Sequence, residues 1–313
     1  HGLPEDPATV VVYARVDPEQ KLALVEAFQN AGHVVAVTGD GVNDAPALRR
    51  ADIGVAMGKG GSDVAREAAD LIITSDDLGL VTKAVREGRA IFDNIRKVVD
   101  YLVAGNLSEV MVVLAGLAFF PDLGVPLLPI QLLWINLLTD GLPALALGFD
   151  RPHENVLRRA PRLRSDELLT VRRVSMLAFR AVMLAGSAIG ALMVTRATGG
   201  TWEAARTVMF TALVVAHLLY AYVVRLPSPA PNPRLAAAVG LGLLLQAGSI
   251  LGPARDLFGV VPISSAYWLI AVVAGLVPVG LLALYERTNL ARRIISDNLT
   301  DAVSPEIARR RET

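Results

Sequence analysis

The chain contains no cysteine, which excludes a disulfide framework and any thiol-based zinc or redox centre. It has no excess of either charge: 30 Lys+Arg face 30 Asp+Glu, which argues against a nucleic-acid binder, usually a basic protein. Lysine is scarce, at four residues against twenty-six arginines. With heavy Ala and Val usage, that preference points to a high-GC bacterial genome. No signal peptide is visible, and the chain opens on His1 rather than Met, in a polar segment, which suggests a fragment. What is abundant is apolar: 53% of the 313 residues are hydrophobic, which excludes disorder. The length alone would suggest about two soluble domains.

The apolar residues are unevenly placed. Residues 1–97 carry short β-branched runs at 10–14, 34–37, 53–57 and 71–74, with helical stretches at 18–30, 45–50 and 62–69 between them. Alternation of this kind predicts βαβ units and a parallel sheet. Asp17-Pro18 is a strong helix start, with a capping Asp and Pro at the first helical position.

Six apolar stretches follow, at 98–120, 127–149, 174–195, 207–224, 235–251 and 266–285, each 17 to 23 residues long. A bilayer-spanning helix needs about 20. Six in series cannot all be buried in a protein of this size, so residues 98–286 are read as six transmembrane helices and the lipid bilayer as a partner. With the soluble unit in the cytoplasm, fifteen Arg fall on inner segments and three on outer ones. That asymmetry places the soluble unit and the 287–313 tail inside. The basic loop 151–173 is expected to be solvated and to set topology, and 226–233 to form a Pro-rich turn.

The string Thr38-Gly39-Asp40-Gly41-Val42-Asn43-Asp44-Ala45-Pro46-Ala47-Leu48 follows an expected strand and precedes a helix. Chemistry in open α/β sheets gathers at the carboxyl ends of strands. Gly39 and Gly41 permit close backbone approach, and Asp40 and Asp44 are hard oxygen ligands suited to Mg²⁺. Lys21 supplies a positive charge for a phosphoryl group. An isolated Gly-Asp-Gly would be read as a surface turn.

In the first span, Asn106 and Glu109 share a helix face, and in the second Asn136, Thr139 and Asp140 do. Ionisable groups at mid-span mark functional sites facing the bundle interior. Polar helix–helix contacts would account for Asn106 alone, less well for Glu109 and Asp140 together, since neither span holds Lys or Arg between its ends. Gly141 and Pro143 predict an irregular helix near Asp140. Gly186 and Gly190 form a GxxxG expected to pack closely, and Arg180 is expected to snorkel or pair. A stalk helix is expected to run from residue 78 into the first span.

These strings resemble P-type cation-transporting ATPases. Thr38–Leu48 is similar to that family's phosphorylation-domain hinge motif, and Arg15–Lys21 to its preceding segment. The resemblance implies a haloacid-dehalogenase-like (Rossmannoid) α/β partial domain followed by an all-α six-helix transmembrane bundle equivalent to M5–M10. It implies that Asp40 binds Mg²⁺, Lys21 contacts the phosphoryl group, and Thr38, Gly39, Asn43 and Asp44 complete the catalytic turn.

Asn106–Glu109 and Asn136–Pro143 resemble the fifth- and sixth-helix sites of calcium pumps. On that resemblance Asn106, Glu109, Asn136, Thr139 and Asp140 bind the transported cation, Ca²⁺ being favoured. His217 stands where two-calcium pumps carry a Glu, which implies one Ca²⁺ per cycle, or else a packed helix residue.

The family's Asp-Lys-Thr-Gly-Thr nucleophile motif is missing, as is the actuator's Thr-Gly-Glu. The resemblance therefore implies absent partners: an actuator, an ATP-binding nucleotide domain and four preceding helices. A complete protein would be an ATP-hydrolysing pump in a bacterial plasma membrane, this segment alone being inactive. The alternatives are a non-catalytic membrane partner derived from a pump and a membrane-tethered phosphohydrolase.

Overall fold

A computed structural model describes residues 7–75, 77, 79–152, 156–158, 170–226 and 231–309, with side chains for all of these except 158 and 289–309. Arg159, Arg162, Arg164 and residues 227–230 of the expected Pro-rich turn lie outside the described residues. The chain divides into two compact units, residues 1–89 with 154–167, and residues 90–153 with 168–313.

The first unit is α/β. Helix α1 (Pro18–Asn30) starts as its sequence dictates: Pro18 fixes the first helical φ, and Gln20 Oε1 accepts from the Asp17 amide at 3.0 Å. Strands β1 (Ala36–Gly39), β2 (Ile53–Met57) and β3 (Leu71–Ile73) form a parallel sheet in the order β1-β2-β3, with Thr38 opposite Val55 and Val55 opposite Leu71. Helices α2 (Ala45–Arg50) and α3 (Asp63–Ala68) close a small core of Ala45, Leu48, Ala56, Ala65 and Ala68. Ser62 caps α3 by accepting from the Ala65 amide.

The strand expected at 10–14 does not form. Val11 is 95% exposed and no described strand pairs with this segment. β-branched residues favour a strand where a pleated, half-buried surface receives them, and here none does.

The second unit contains the six apolar helices. They comprise α4 (Gly79–Phe119), a broken helix of α5 (Pro129–Trp134) and α6 (Gly141–Gly148), α7 (Val171–Ala197), α8 (Trp202–Val224), α9 (Pro233–Leu251) and α10 (Ser265–Arg309). All six are long and apolar enough to cross a membrane. Helix α4 is unbroken through Gly88 and Gly105, as the stalk expectation required, and belongs to both units.

Helix α8 is the core of this unit, buried on nearly all sides. A helix that is apolar all round seeks such a position. Its Thr207 and Thr211 hydroxyls are satisfied within the helix, donating to the carbonyls of Glu203 and Thr207 at 2.9 and 2.7 Å.

Close helix approach does not use the GxxxG pair: a Cβ on Gly186 or Gly190 would meet nothing within 4 Å. It occurs at Gly275, where a Cβ would lie 2.5 Å from Val215 Cγ1, and at Gly242, where one would lie 2.6 Å from Leu218 Cδ2. Spacing alone cannot tell which face of a helix a neighbour takes. Arg180 is buried and paired, donating to Glu286 Oε1 at 2.5 Å and to the Tyr220 hydroxyl at 3.3 Å.

Candidate active turn and buried cation cluster

In the α/β unit, β1 delivers the Gly39–Asp44 turn, and a short 3₁₀ turn (Val42–Asp44) feeds α2. Asp44 is buried and organises the loop. Its Oδ2 accepts from the amides of Asp40 (3.3 Å) and Gly41 (3.2 Å), and its Oδ1 pairs with Lys21 Nζ at 2.6 Å. Burial pushes the Asp44 carboxyl up, but the Lys21 bond and the two amides outweigh it and hold it below the usual range. Gly39 is required here: a Cβ would lie 2.5 Å from Asp44 Cβ.

Asp40 presents an exposed side chain, while its carbonyl accepts from the Ser62 amide at 2.7 Å. Thr38 and Asn43 are also exposed. The structure thus brings Lys21, Gly39, Asp40 and Asp44 into one turn, with Thr38 and Asn43 flanking it. A solvent-facing carboxylate beside a fixed ammonium fits Mg²⁺ with a phosphoryl group. Asp44, with both oxygens already engaged, fits a supporting role.

In the helical unit, Glu109 on α4, Asp140 before α6 and His217 on α8 meet, each at most 4% exposed. One ligand atom of each lies within 4.8 Å of the others. Asp140 is aimed inward by a π-helical turn over Ile135–Thr139, closed by the Asp140 amide donating to the Ile135 carbonyl at 2.8 Å. The irregularity expected near Gly141 and Pro143 lies just ahead of Asp140 and supplies one extra residue to the turn.

Tyr101 donates its hydroxyl to Asp140 Oδ1 at 3.2 Å, and Asn136 donates to Glu109 Oε2 at 2.9 Å. Thr139 is buried and donates to the Ile135 carbonyl. Asn106 is exposed. Glu109 Oε1 and Asp140 Oδ2 are buried with no hydrogen-bond partner. Buried acceptors are rarely left so, and two of them in one cluster suit a cation.

Tyr101 and Ser108 were not recognisable as site residues by type. The signal was positional: 101, 105, 108 and 109 recur at helical spacing on one face of α4.

A second polar centre was not anticipated. Asp150 is buried and fully engaged: Arg225 donates to both its oxygens at 2.9 and 3.0 Å, Lys97 at 2.8 Å and Asn232 at 3.3 Å. Its backbone carbonyl accepts from Asn94 at 2.8 Å. Burial raises the Asp150 carboxyl, but the bonds from Arg225 and Lys97 prevail and hold it below the usual range.

Comparison with known proteins accords with this arrangement. Residues 5–52 match the haloacid dehalogenase-like hydrolase family, and residues 124–288 match the family described as cation transporting ATPase, C-terminus. The chain is 40% identical to a calcium-transporting ATPase of Bacillus subtilis over 282 residues, 88% of this chain and 32% of that protein. It is 43% identical to a probable cation-transporting ATPase F of Mycobacterium tuberculosis over 219 residues, 70% of this chain and 24% of that protein. It is 51% identical to an endoplasmic reticulum calcium ATPase of Aspergillus fumigatus over 160 residues, 50% of this chain and 16% of that protein. The chain thus spans about a third or less of the length of these relatives. A haloacid-dehalogenase-like α/β unit followed by six membrane-length helices, aligned with the C-terminal part of these pumps, places the chain in the cation-transporting ATPase family.

Proposed function

We propose that this chain is the part of an ATP-driven Ca²⁺ pump that holds the transported ion and half of the phosphoryl-transfer site. The observation that carries this reading is the pair of buried, unpartnered carboxylate oxygens on Glu109 and Asp140. Around them Asn136 orients Glu109 and Thr139 braces the π turn, while Asn106, exposed three residues before Glu109, stands off the buried cluster. One Ca²⁺ per cycle fits a site in which His217 supplies no carboxylate.

In the α/β unit Asp40 would hold Mg²⁺, which supplies charge neutralisation to a transferring phosphoryl group. Lys21 places its ammonium beside that group, Asp44 holds Lys21 and the loop amides in place, and Asn43 and Thr38 border the site. The phosphorylated aspartate and the ATP-binding domain belong to other parts of the pump. Residues 1–97 act as the phosphorylation unit with its stalk, 98–286 as the membrane domain, and 287–313 as a cytoplasmic tail of a bacterial plasma-membrane protein. Unbroken α4 carries displacement of the first unit to Asn106 and Glu109.

The test is ion-stimulated ATP hydrolysis by the complete gene product across Ca²⁺, Mn²⁺, Na⁺ and Mg²⁺. Stimulation by Ca²⁺ that disappears in Glu109→Gln is expected. Stimulation by Na⁺ alone would overturn the assignment, and ion binding with no ATP hydrolysis would favour a non-catalytic partner.

A further inference from the structure

The buried cluster has a third member that is not an oxygen acid. Ser108 Oγ lies 2.7 Å from the Gly105 carbonyl oxygen. Its oxygen also lies 2.8 Å from His217 Nε2, a hydrogen bond that holds the ring in place whichever of the two atoms carries the proton. Nδ1 is the ring nitrogen that faces the carboxylates. Nδ1 lies 3.3 Å from Asp140 Oδ1 and 4.0 Å from Glu109 Oε1.

A ring nitrogen facing two carboxylates is settled either by a proton on it or by a cation held among the three groups, and a bound metal ion would displace that proton. Two ligands of one ion, each roughly 2.0–2.4 Å from it, lie about 3 to 4.8 Å apart. The observed separations fall in that range. Gly105 keeps the space open: a Cβ there would lie 3.1 Å from Asp140 Oδ2 and 3.4 Å from His217 Cε1.

We propose that His217 Nδ1 is a direct ligand of the transported cation, that Ser108 positions it, and that the resulting nitrogen–oxygen site prefers first-row transition-metal divalent ions such as Mn²⁺ to Ca²⁺. The proposal rests on the reading of Glu109 and Asp140 as cation ligands and refines the ion they take, with Ca²⁺ still bound but Mn²⁺ bound more tightly. Ca²⁺ takes oxygen ligands, whereas imidazole suits transition metals, so the nitrogen discriminates where the two carboxylates do not.

The experiment uses the full chain in detergent, with Mn²⁺ and Ca²⁺ binding measured by calorimetry and bound Mn²⁺ examined by pulsed electron paramagnetic resonance. The wild type should bind Mn²⁺ about tenfold or more tightly than Ca²⁺ and show imidazole nitrogen coupling to Mn²⁺. His217→Gln should lose the coupling and most of the Mn²⁺ preference while leaving Ca²⁺ affinity within a few-fold. Wild-type Mn²⁺ without nitrogen coupling, or an equal loss for both ions in His217→Gln, makes His217 a packing or charge-pairing residue and overturns the proposal, whether or not the variant is well folded. If neither ion binds the wild type, the reading of Glu109 and Asp140 fails as well. If Ca²⁺ binding is lost in Glu109→Gln but nitrogen coupling is absent, that reading stands and only the His217 ligand is lost.

Discussion

Two aspartates ten positions apart are almost equally buried and oppositely treated. Asp150 is bound by Arg225, Lys97 and Asn232, so every charge in the group has a partner. Asp140 has a tyrosine hydroxyl, a histidine at 3.3 Å and one oxygen with nothing. A buried charge is tolerated when paired, and an unpaired one signals either a pKa change or an absent counter-ion. The contrast separates an architectural ion pair from the carboxylate proposed to hold a cation, which burial alone would not do.

The largest effect that would break this contrast concerns the ligand. Glu109→Gln and Asp140→Asn should each weaken cation binding on the order of a hundredfold or more, beyond the ~10–100-fold typical of outer-shell partners. Direct ion-binding titration measures this, and unchanged affinity in both would remove the distinction. The thermal midpoint should fall little in either variant, because no Lys or Arg side chain is orphaned.

Asp150→Asn should do the reverse. It leaves Arg225 and Lys97 buried with a neutral partner, and breaking such a pair costs about 3–5 kcal/mol. Denaturation in detergent reads this as a large loss of stability with cation affinity retained in the remaining folded protein.

The pH dependence sharpens the same point. The folded Asp150 carboxyl is held below its unfolded value of about 3.9, so the unfolded chain binds more protons in that window. Its stabilisation is full above about pH 3.9 and is lost as pH falls towards the lowered folded value. A melting series from pH 6 to pH 3 should show this loss in the wild type and a flatter curve in Asp150→Asn.

The smallest effect is at Tyr101. Removing its hydroxyl in Tyr101→Phe takes one hydrogen bond from Asp140 and should shift cation affinity by about tenfold, the low end for outer-shell partners. A loss as large as that of Asp140→Asn would mean that the hydroxyl itself contacts the ion.

Much of this was legible in the residues. The six spans, α1, α2, β2 and the stalk helix follow from apolar periodicity and capping signals, because these act within a few turns of chain. The turn at Gly39–Asp44 was legible because the whole string Thr38–Leu48 is specific, where Gly-Asp-Gly alone would read as a surface turn. The strand expected at 10–14 failed because strand formation depends on a neighbour that propensity cannot report. The GxxxG failed for the same reason: Gly186 and Gly190 look like a packing face, yet the tight contacts are at Gly242 and Gly275. The Asp150 centre was hidden because its members come from α4, the caps of α8 and α9 and the segment after α6.

The sequence by itself determined the two solvents of this chain, the carboxylates carried on adjacent spans, and the loop chemistry of the α/β unit. Those are properties of composition and short-range order. Only the tertiary structure decided that His217 joins Glu109 and Asp140, that Ser108 meets its ring, and that one Asp140 oxygen has no hydrogen-bond partner while both of Asp150 are engaged. Such outcomes depend on which helices become neighbours, and on whether each buried charge then finds an opposite charge or hydrogen-bond donor within about 3 Å.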